Sequence, residues 1–430
     1  MNVRKILVNA LVDLEKSEGF SNLLLDSILK KEVLNEQDKA FASRLFYGVI
    51  ERKITIDFYI SKLTQKPIKK LSPIVLNSLR IAIYQLEYMD KIPENAAVNE
   101  SVAIVKNSKE KYAAGLTNAV LRNFIRNKPQ LPNDNSLYSL SVRYSCPGWF
   151  IEELISYIGK ENAIGFLENS LNPAPLFLKA NSIVTTKDKL LEALEGQNIL
   201  TCDHKNDCIE ISGSGALEKL KEFKDGLFHI QDRSSQLCVA ALDPKPNDRV
   251  LDICSAPGGK SCTVAELMNN SGEVISCDLY EHRVKLIKSN ADRLGLNIVK
   301  PMINDALIYN DKLGKFNKIL CDVPCSGFGV IRRKPEIKYK PKTDLTNLPE
   351  LQYNILEIAS KYLEEGGSLI YSTCTLRYEE NEAVVIRFLE EHPEFTVCEF
   401  YPEFFGGVGH ILTPNNCGGD GFFFAVLKRK

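Results

Sequence analysis

The chain has 430 residues, 44% of them hydrophobic and 25% charged, which is the composition of a globular protein with two or three domains. No apolar stretch approaches the ~18 residues that a membrane-spanning helix needs, and no signal-peptide cleavage site follows the short apolar run near the start. We therefore expect a cytoplasmic protein with no membrane partner. Its twelve cysteines form no C-x-x-C pair, so we predict no metal site and mostly small, buried, reduced thiols.

The net charge of −1 conceals an asymmetry along the chain. Residues 1–130 contain 21 Lys and Arg against 14 Asp and Glu, a net charge of +7, and the remaining 300 contain 33 against 41, a net charge of −8. A basic front end is typical of proteins with a polyanionic partner, although on charge alone a solvated helical surface is the simpler explanation.

Residues 1–130 predict an all-α domain. Apolar residues from Val3 to Leu14 recur at the spacing of one helix face, and similar patterns follow in "DKAFASRLFYGVIERKI", "PIVLNSLRIAIYQLEYM", "NAAVNESVAIVKN" and "AAGLTNAVLRNFIRN". The stretch "NKPQLPNDNS" (127–136) supplies two prolines and several turn-forming residues, which predicts a linker.

Residues 138–230 predict a small α+β subdomain of the RRM or ferredoxin-like kind. Pro147 suits the first turn of a helix over "GWFIEELISYI". Beyond that helix, the predicted strands "PLFLKANSI", "CIEIS" and "LFHI" alternate with the predicted helices "KDKLLEALEGQ" and "LEKLKEFKDG".

Residues 231–430 predict an α/β domain with a Rossmann-like, doubly wound sheet. Short apolar strands, separated by helical or loop segments, are expected at "RVLDIC", "EVISCD", "VKPMIN", "NKILCDV" and "GSLIYST", with later candidates at "FTVCEF" and "FFFAVLK". In such sheets ligands bind beyond the carboxyl ends of the strands, so the residues that follow each strand are the candidate site.

The segment "LDICSAPGGKS" (251–261) is the most informative of these strand ends. Its glycines let the backbone approach a ligand closely, and the free N–H groups of a helix start favour an anion such as the carboxylate of S-adenosylmethionine. Asp278, 20 residues after Gly258, is placed to hold two ribose hydroxyls, and Asp305 is placed to contact the adenine edge. Each aspartate on its own could instead be a cap or turn residue.

Two other ligands fit this segment less well. Gly259, Lys260 and Ser261 match the end of the G-x-x-x-x-G-K-[ST] pattern of nucleoside triphosphate loops, but Cys254 stands where that pattern begins with glycine. The dinucleotide pattern G-x-G-x-x-G is absent.

Two cysteines follow neighbouring predicted strands, Cys325 in "CDVPCSGFG" and Cys374 in "YSTCTL". A thiolate that attacks C6 of cytosine makes C5 nucleophilic enough to accept a methyl group, and Asp322 could bind the N3/N4 edge of that base. The residues alone leave open which cysteine attacks. We interpret "EENE" (379–382) as the charged first turn of a helix.

The motifs "DICSAPGGK", "DVPCSGFG" and "STCT", in this order, resemble those of the RNA cytosine-5 methyltransferases. The segments "HIQDRSSQ", "GVIRRKPEIK" and "DGFFFAVL" narrow the resemblance to the bacterial Sun/Fmu/RsmB group, which methylates small-subunit (16S) ribosomal RNA. That group begins with a NusB-like RNA-binding domain, and "TNAVLRNFIRN" is similar to the last helix of that domain. The resemblance therefore covers essentially the whole chain.

The resemblance also assigns roles to residues. It implies that Cys374 is the nucleophile, that Cys325 assists release of the product, and that Asp322 faces both base and cofactor. It implies S-adenosylmethionine as cofactor, with S-adenosylhomocysteine as product. The cofactor contacts that it implies are Cys254, Ser255, Ala256, Pro257, Gly258, Gly259, Lys260, Asp278, Asp305 and Asp322.

The segment "IRRKPEIKYKPK" (331–342) carries six basic residues and one acidic residue directly after the Pro-Cys turn. We expect it to overhang the crevice as a loop on which Arg332, Arg333 and Lys334 contact RNA phosphates, where a solvated loop is the alternative.

Two other functions are compatible with parts of the chain. The basic helical front end would suit a non-catalytic RNA-binding or antitermination factor, and Lys260 would suit a nucleotide hydrolase. The motifs favour the methyltransferase over both. We expect a monomer with no obligate protein partner.

Overall fold

The computed structural model describes residues 2–16, 21–32, 34–197, 199–203, 208–212 and 217–430. Two compact units divide the chain. The first contains residues 1–156, 170–172 and 331–340, and the second contains residues 157–169, 173–330 and 341–430. Within the described ranges, no helix is both long and apolar enough to cross a bilayer.

The first unit is helical. Its α-helices are α1 (Val3–Leu14), α2 (Ser21–Lys31), α3 (Glu36–Glu51), α4 (Lys53–Leu63), α5 (Pro73–Tyr88), α6 (Glu94–Lys106), α7 (Ala114–Arg126), α8 (Leu137–Tyr144) and the start of α9 (Gly148–Ile158). Four helical patterns were predicted after α1. The first corresponds to α3 and the start of α4, and the other three are confirmed as α5, α6 and α7.

Helix α5 is the centre of this unit. Ser72 caps its start, Pro73 occupies its first turn, and its side chains from Val75 to Gln85 are buried because α1, α3, α4, α6 and α7 pack around it. Its one buried cation, Arg80, binds both carboxylate oxygens of Asp57 at 2.7 and 2.8 Å. Such a bidentate pair offsets the cost of burying the guanidinium.

Two segments outside residues 1–130 also belong to the helical unit. Helices α8 and α9, which we had placed at the start of the small subdomain, pack here: Thr55 donates to the Val142 carbonyl at 2.5 Å, and the Ser145 hydroxyl accepts from the Ile54 amide at 2.9 Å. The segment 331–340 also returns to this unit, although we had counted it in the methyltransferase domain.

The second unit begins with α10 (Lys160–Asn169) and a small antiparallel sheet. The elements of this part are β1 (Leu176–Ala180), α11 (Lys187–Glu195), β2 (Leu200–Asp203), β3 (Cys208–Ser212), α12 (Lys221–Lys224) and β4 (Phe228–Ile230). The strand order is β2-β3-β1-β4, which is the βαββαβ arrangement expected for a ferredoxin-like subdomain. Strand β2 is an edge strand without apolar alternation, so the sequence did not predict it.

The rest of the second unit is a nine-stranded sheet with helices. Its elements are α13 (Arg233–Leu242), β5 (Arg249–Asp252), α14 (Gly259–Leu267), β6 (Glu273–Asp278), α15 (Glu281–Leu294), β7 (Val299–Ile303), β8 (Phe316–Asp322), α16 (Leu348–Ser360), β9 (Leu363–Thr373), α17 (Glu382–Glu391), β10 (Phe395–Cys398), β11 (Phe405–Gly406), β12 (Gly409–Leu412), α18 (Pro414–Cys417) and β13 (Phe422–Arg429).

The strand order confirms the predicted doubly wound sheet. It is β11-β12-β13-β9-β8-β5-β6-β7, with β10 also paired to β13. Strands β5 to β9 are parallel, whereas β13 runs antiparallel to β9. The order reverses at β5, because β6 and β8 lie on its two sides. The carboxyl ends of β5, β8 and β9 therefore meet at the switch point, where such folds bind ligands.

Candidate active site

The segment between β5 and α14 forms a tight turn. Gly258 has φ +101°, and a Cβ there would lie 3.1 Å from the Ile287 backbone, so the turn needs glycine. Its amide donates to the Ser255 carbonyl at 2.7 Å. Helix α14 then begins at Gly259.

A cavity of about 180 Å³ lies over this turn. Its lining includes most of the predicted cofactor residues and four residues that the sequence did not single out, Ile230, Gln231, Ser235 and Asp252. The predicted residues in the lining are Cys254, Ser255, Ala256, Pro257, Gly259, Lys260 and Asp322. Gly258, Asp278 and Asp305 are outside it.

Three polar atoms of the cavity lining are buried without a hydrogen bond to any described residue: Asp252 Oδ1, Ser255 Oγ and Gln231 Nε2. Burial raises the pKa of Asp252 to about 7, although the Ser261 hydroxyl donates to its other oxygen at 2.6 Å. Unpaired buried polar atoms are costly in a folded protein, so together they mark the place of a polar ligand. Gln231 lies in "HIQDRSSQ", the only sequence signal that could have identified it.

Asp278 and Asp305 lie at the ends of β6 and β7, as predicted, and each accepts a hydrogen bond from the amide two residues later, at 3.2 and 2.9 Å. Arg283 also pairs with Asp278 at 3.3 Å. Both are turn contacts of the kind given above as the alternative role of these aspartates. Their contact with ribose and adenine stays a prediction.

Lys260 and Asp322 join the cavity to the end of β8. Lys260 Nζ lies 2.7 Å from Asp322 Oδ2, and Ser372 donates to the other oxygen of Asp322 at 2.7 Å. Burial alone would lower the pKa of Lys260, but the Asp322 charge raises it above its usual value. The ammonium is thus held by a carboxylate of its own chain, which does not favour the phosphate-binding alternative.

The two cysteines that follow β8 and β9 meet beside Asp322. Their Sγ atoms are 3.0 Å apart, and the two thiols are reduced, with no disulfide between them. The pKa of Cys325 is raised well above the usual thiol value, first by its hydrogen bond with Cys374 and then by burial, with smaller effects from the charges of Glu380 and Asp322. At this distance either sulfur can donate a hydrogen bond to the other.

Glu380 connects the two cysteine turns, and its sequence context did not identify it as part of the site. Its carboxylate is fully buried, accepts from the Ser326 amide at 2.8 Å and from Gln352 at 3.0 Å, and pairs with Arg377 at 3.1 Å. Gln352 also donates to the Pro324 carbonyl at 2.9 Å.

Our interpretation of "EENE" as a charged first turn of a helix is wrong for its first three residues. Residues 378–380 form a short 3-10 helix, and α17 begins only at Glu382. Asn381, between them, is buried and donates to the Thr375 carbonyl at 3.0 Å. A run of acidic residues near a helix start does not indicate, from sequence alone, which of its carboxylates is buried.

A close approach of two backbones fixes the Thr-Cys turn. The Gly329 amide donates to the Cys374 carbonyl at 3.0 Å, and the Gly421 amide donates to the Gly329 carbonyl at 3.0 Å. A Cβ on Gly329 would lie 1.8 Å from the Gly421 carbonyl oxygen, so only glycine fits. The "CSGFG" and "DGFFF" segments thus contact each other directly.

The structure does not place the basic residues Arg332, Arg333 and Lys334 in the catalytic unit, where we expected them on a loop. The structure groups residues 331–340 with the helices of the first unit, because Lys338 donates to the Glu51 carbonyl at 2.7 Å and Tyr339 donates to the Ile50 carbonyl at 2.8 Å. Pro335 and Ile337 are buried in the same segment. The expected contact of Arg332, Arg333 and Lys334 with RNA phosphates stays a prediction.

Comparisons with known proteins agree with this geometry. Residues 239–428 match the model of the 16S rRNA methyltransferase RsmB/F family, and residues 1–126 match the NusB family. A probable ribosomal RNA small subunit methyltransferase B from Bacillus subtilis is 38% identical over 446 residues, covering 100% of this chain and 99% of the relative. The chain belongs to the ribosomal RNA small subunit methyltransferase B family.

Other relatives support the same family. The ribosomal RNA small subunit methyltransferase B of Shewanella oneidensis is 32% identical, over 100% of this chain and 99% of its own. Among solved structures, PH0851 matches with a TM-score of 0.82 and 25% identity over 100% of this chain and 99% of its own. A methyltransferase homologue from Pyrococcus horikoshii has a TM-score of 0.61 and is 27% identical, over 69% of this chain and 100% of its own.

Family membership confirms an S-adenosylmethionine-dependent methyltransferase that acts on small-subunit ribosomal RNA. The residues of the cavity fit this cofactor. Asp252 Oδ1 can accept from its ammonium group, and Ser255 Oγ and Gln231 Nε2 can donate to its oxygen atoms, so each unpaired buried atom would gain a partner.

Proposed function

We propose that the enzyme methylates C5 of a cytosine in small-subunit (16S) ribosomal RNA, with Cys374 as the nucleophile. The observation that carries this proposal is the pair of reduced thiols, 3.0 Å apart, that follow β8 and β9, where β8 itself ends at Asp322 and the charge of that carboxylate acts on Cys325. Cytosine C5 chemistry needs a thiolate for C6, a group that binds the base edge, and assistance when the thiol leaves. Thiols that merely pack in a core need none of these neighbours.

The reaction follows from the roles of these groups. Cys374 Sγ bonds to C6, which breaks the C5–C6 double bond and places carbanion character on C5, while Asp322 hydrogen-bonds the N3/N4 edge and stabilises the protonated base. S-adenosylmethionine supplies an electrophilic methyl group for C5. A base removes the C5 proton, the double bond forms again, and Cys374 leaves as a thiolate.

The assignment of the two cysteines follows the resemblance of "STCT" to the Thr-Cys turn of the RNA cytosine-5 methyltransferases, and the 3.0 Å between the two Sγ atoms allows either thiol to donate to the other. A thiol that keeps its proton is a poor nucleophile but a good hydrogen-bond donor. We therefore give Cys325 the role of donating to the Cys374 sulfur as that sulfur leaves, which speeds release of the methylated RNA.

The test uses small-subunit rRNA fragments that carry 5-fluorocytosine, incubated with S-adenosylmethionine and the full chain. Fluorine at C5 does not leave as a proton does, so a C5 methyltransferase stalls as a covalent adduct that survives denaturation. We expect the adduct with the wild type and Cys325→Ser, and none with Cys374→Ser. Cys262→Ser, a buried cysteine of α14 outside the reaction, is the matched control.

The outcomes separate the parts of the proposal. Loss of the adduct in Cys325→Ser, with the adduct retained in Cys374→Ser, would reverse the two roles. Absence of an adduct in every sample, while S-adenosylmethionine still binds, would overturn methylation at C5.

A further inference from the structure

The helical unit contains a second cleft, of about 280 Å³, built from α3, α5 and the segment 331–340. Arginines from two distant parts of the chain, Arg44 on α3 and the pair Arg332 and Arg333, line it. Its other lining residues are Tyr47, Gly48, Glu51, Tyr84 and Pro335. The three arginines and one glutamate give the lining a formal charge of +2.

The local contacts keep the cleft basic. Glu51 is paired with Arg52, with 3.3 Å between carboxylate and guanidinium, so its charge is already partly neutralised by a residue outside the lining. Lys338, fully buried, adds a further cation beside Glu51 through its bond to the Glu51 carbonyl. The basic character is therefore that of a built concave site rather than of a solvated surface.

Tyrosine hydroxyls complete the cleft. A Cβ on Gly48 would lie 2.1 Å from the Tyr84 hydroxyl, so glycine at this position of α3 lets the Tyr84 ring cross the helix and reach the lining. Burial is the main reason that the pKa of Tyr84 is raised, and the nearby Arg44 guanidinium opposes that rise. A protonated phenol beside guanidinium groups is a hydrogen-bond donor to an anion.

We propose that this cleft binds a phosphodiester of the RNA substrate and so positions the RNA on the helical unit. Planar guanidinium groups bind phosphate oxygens in pairs, which a lysine cluster does not do. The volume is below the ~300–1,000 Å³ of pockets that enclose a whole small-molecule ligand, which suits a piece of backbone. The inference rests on the proposed RNA substrate. It adds Arg44 to the residues expected to contact RNA phosphates. The exposed Lys334 does not line the cleft.

The segment that lines the cleft is close in sequence to one of the two cysteines. Arg332 follows Cys325 by only seven residues, and the segment that carries it is anchored on the helices by Lys338 and Tyr339. The same stretch of chain thus contributes a thiol to one unit and a phosphate contact to the other.

The test measures the affinity of the full chain for a small-subunit rRNA fragment over a range of salt concentrations. Arg44→Gln and Arg332→Gln each remove one phosphate contact, so RNA affinity should fall about five- to tenfold and the slope of log K against log salt should decrease by about one unit. S-adenosylmethionine affinity should not change. Arg44→Lys retains the charge but loses the paired contact, and should fall between the wild type and Arg44→Gln.

Arg126→Gln is the matched control, because Arg126 is an exposed arginine near the end of α7 in the same unit and outside the cleft. If the cleft variants keep the RNA affinity and salt slope of Arg126→Gln while the wild type methylates cytosine C5, the cleft proposal is overturned and the proposed function stands. If the wild type forms no 5-fluorocytosine adduct, it is the proposed function that fails.

Discussion

The cavity above the Gly258 turn and the pair of cysteine turns lie at neighbouring strand ends, but they differ in whether their buried polar groups are hydrogen-bonded. Around the cavity, Asp252, Ser255 and Gln231 each have a buried polar atom that no described residue hydrogen-bonds. Around the thiols, Glu380 accepts from one turn and is paired with an arginine of the other. A cavity that binds a ligand reserves its hydrogen-bonding capacity, whereas the turns that position a nucleophile use theirs internally.

The largest effect is expected where the two regions meet, at Asp322. Asp322→Asn removes the negative charge that holds Lys260 and that would stabilise the protonated base. We expect kcat/KM for RNA methylation to fall by about 10²- to 10⁴-fold. Asp292→Asn, at an exposed aspartate of α15, is the control and should leave the rate unchanged. A decrease smaller than threefold would show that Asp322 does not act on the base.

The next largest effect is expected for the two cysteine turns and the buried carboxylate of Glu380 that connects them. Glu380→Gln keeps the shape of the side chain but removes the charge between Arg377 and the Ser326 amide. Urea unfolding should show a loss of about 3 kcal/mol, because the buried Arg377 guanidinium loses its buried carboxylate and retains only the exposed Glu379 at 3.6 Å. Product release should also slow, so covalent RNA adducts should accumulate with ordinary cytosine.

Glu379→Gln is the matched control for that change, since Glu379 is the exposed neighbour in the same short helix. It should alter the free energy of unfolding by less than about 0.5 kcal/mol. Equal losses for the two variants would mean that the buried carboxylate has no special part in holding the turns.

A smaller effect tests the cofactor side. Because burial raises the pKa of Asp252 to about 7, the folded protein holds this proton more tightly than the unfolded chain, in which Asp titrates near ~3.9. The stability that the neutral form contributes is therefore lost as the pH rises through 7. A cofactor ammonium beside the carboxylate would favour the charged form, so binding below pH 7 should release a proton.

Calorimetric titration with S-adenosylmethionine in two buffers of different ionisation enthalpy measures this release. The wild type should show a buffer-dependent binding enthalpy, and Asp252→Asn should not. Proton release that persists in the variant would assign it to another group.

The smallest effect is expected at Lys338, a buried charge that lies outside both regions. Burial lowers the pKa of Lys338 to about 8. The folded protein holds this proton less tightly than the unfolded chain, where Lys titrates near ~10.4, so stability should rise as the pH increases from 8 towards that value. Lys338→Met should raise Tm by about 2 °C at neutral pH and lose this advantage at alkaline pH. Lys334→Met, at an exposed position of the same segment, should show neither change.

The parts of the fold that the sequence predicted are those with local signals. The helix faces, the alternation of strands and helices, and the glycine-rich turn at Gly258 all follow from spacing within a few residues. The short strands β2, β11 and β12 were missed because two to four residues carry too little pattern.

The sequence motifs predicted the reactive residues of the site, but they did not predict the residues that hold those in place. Cys325 and Cys374 lie together as expected because β8 and β9 are adjacent and parallel. Glu380, Gln231 and the position of Arg332 depend on contacts between residues that are far apart in the chain, which no local pattern records.

The return of residues 331–340 to the helical unit has a consequence for synthesis on the ribosome. The helical unit is discontinuous, and 174 residues separate Ser156 from Ile331, interrupted only by 170–172. At roughly 5–20 residues per second, the front of the chain waits on the order of ten seconds or more for its last piece. Until then the carbonyls of Ile50 and Glu51 lack their Tyr339 and Lys338 donors, so the nascent helical unit stays incomplete until residues 331–340 have been synthesised.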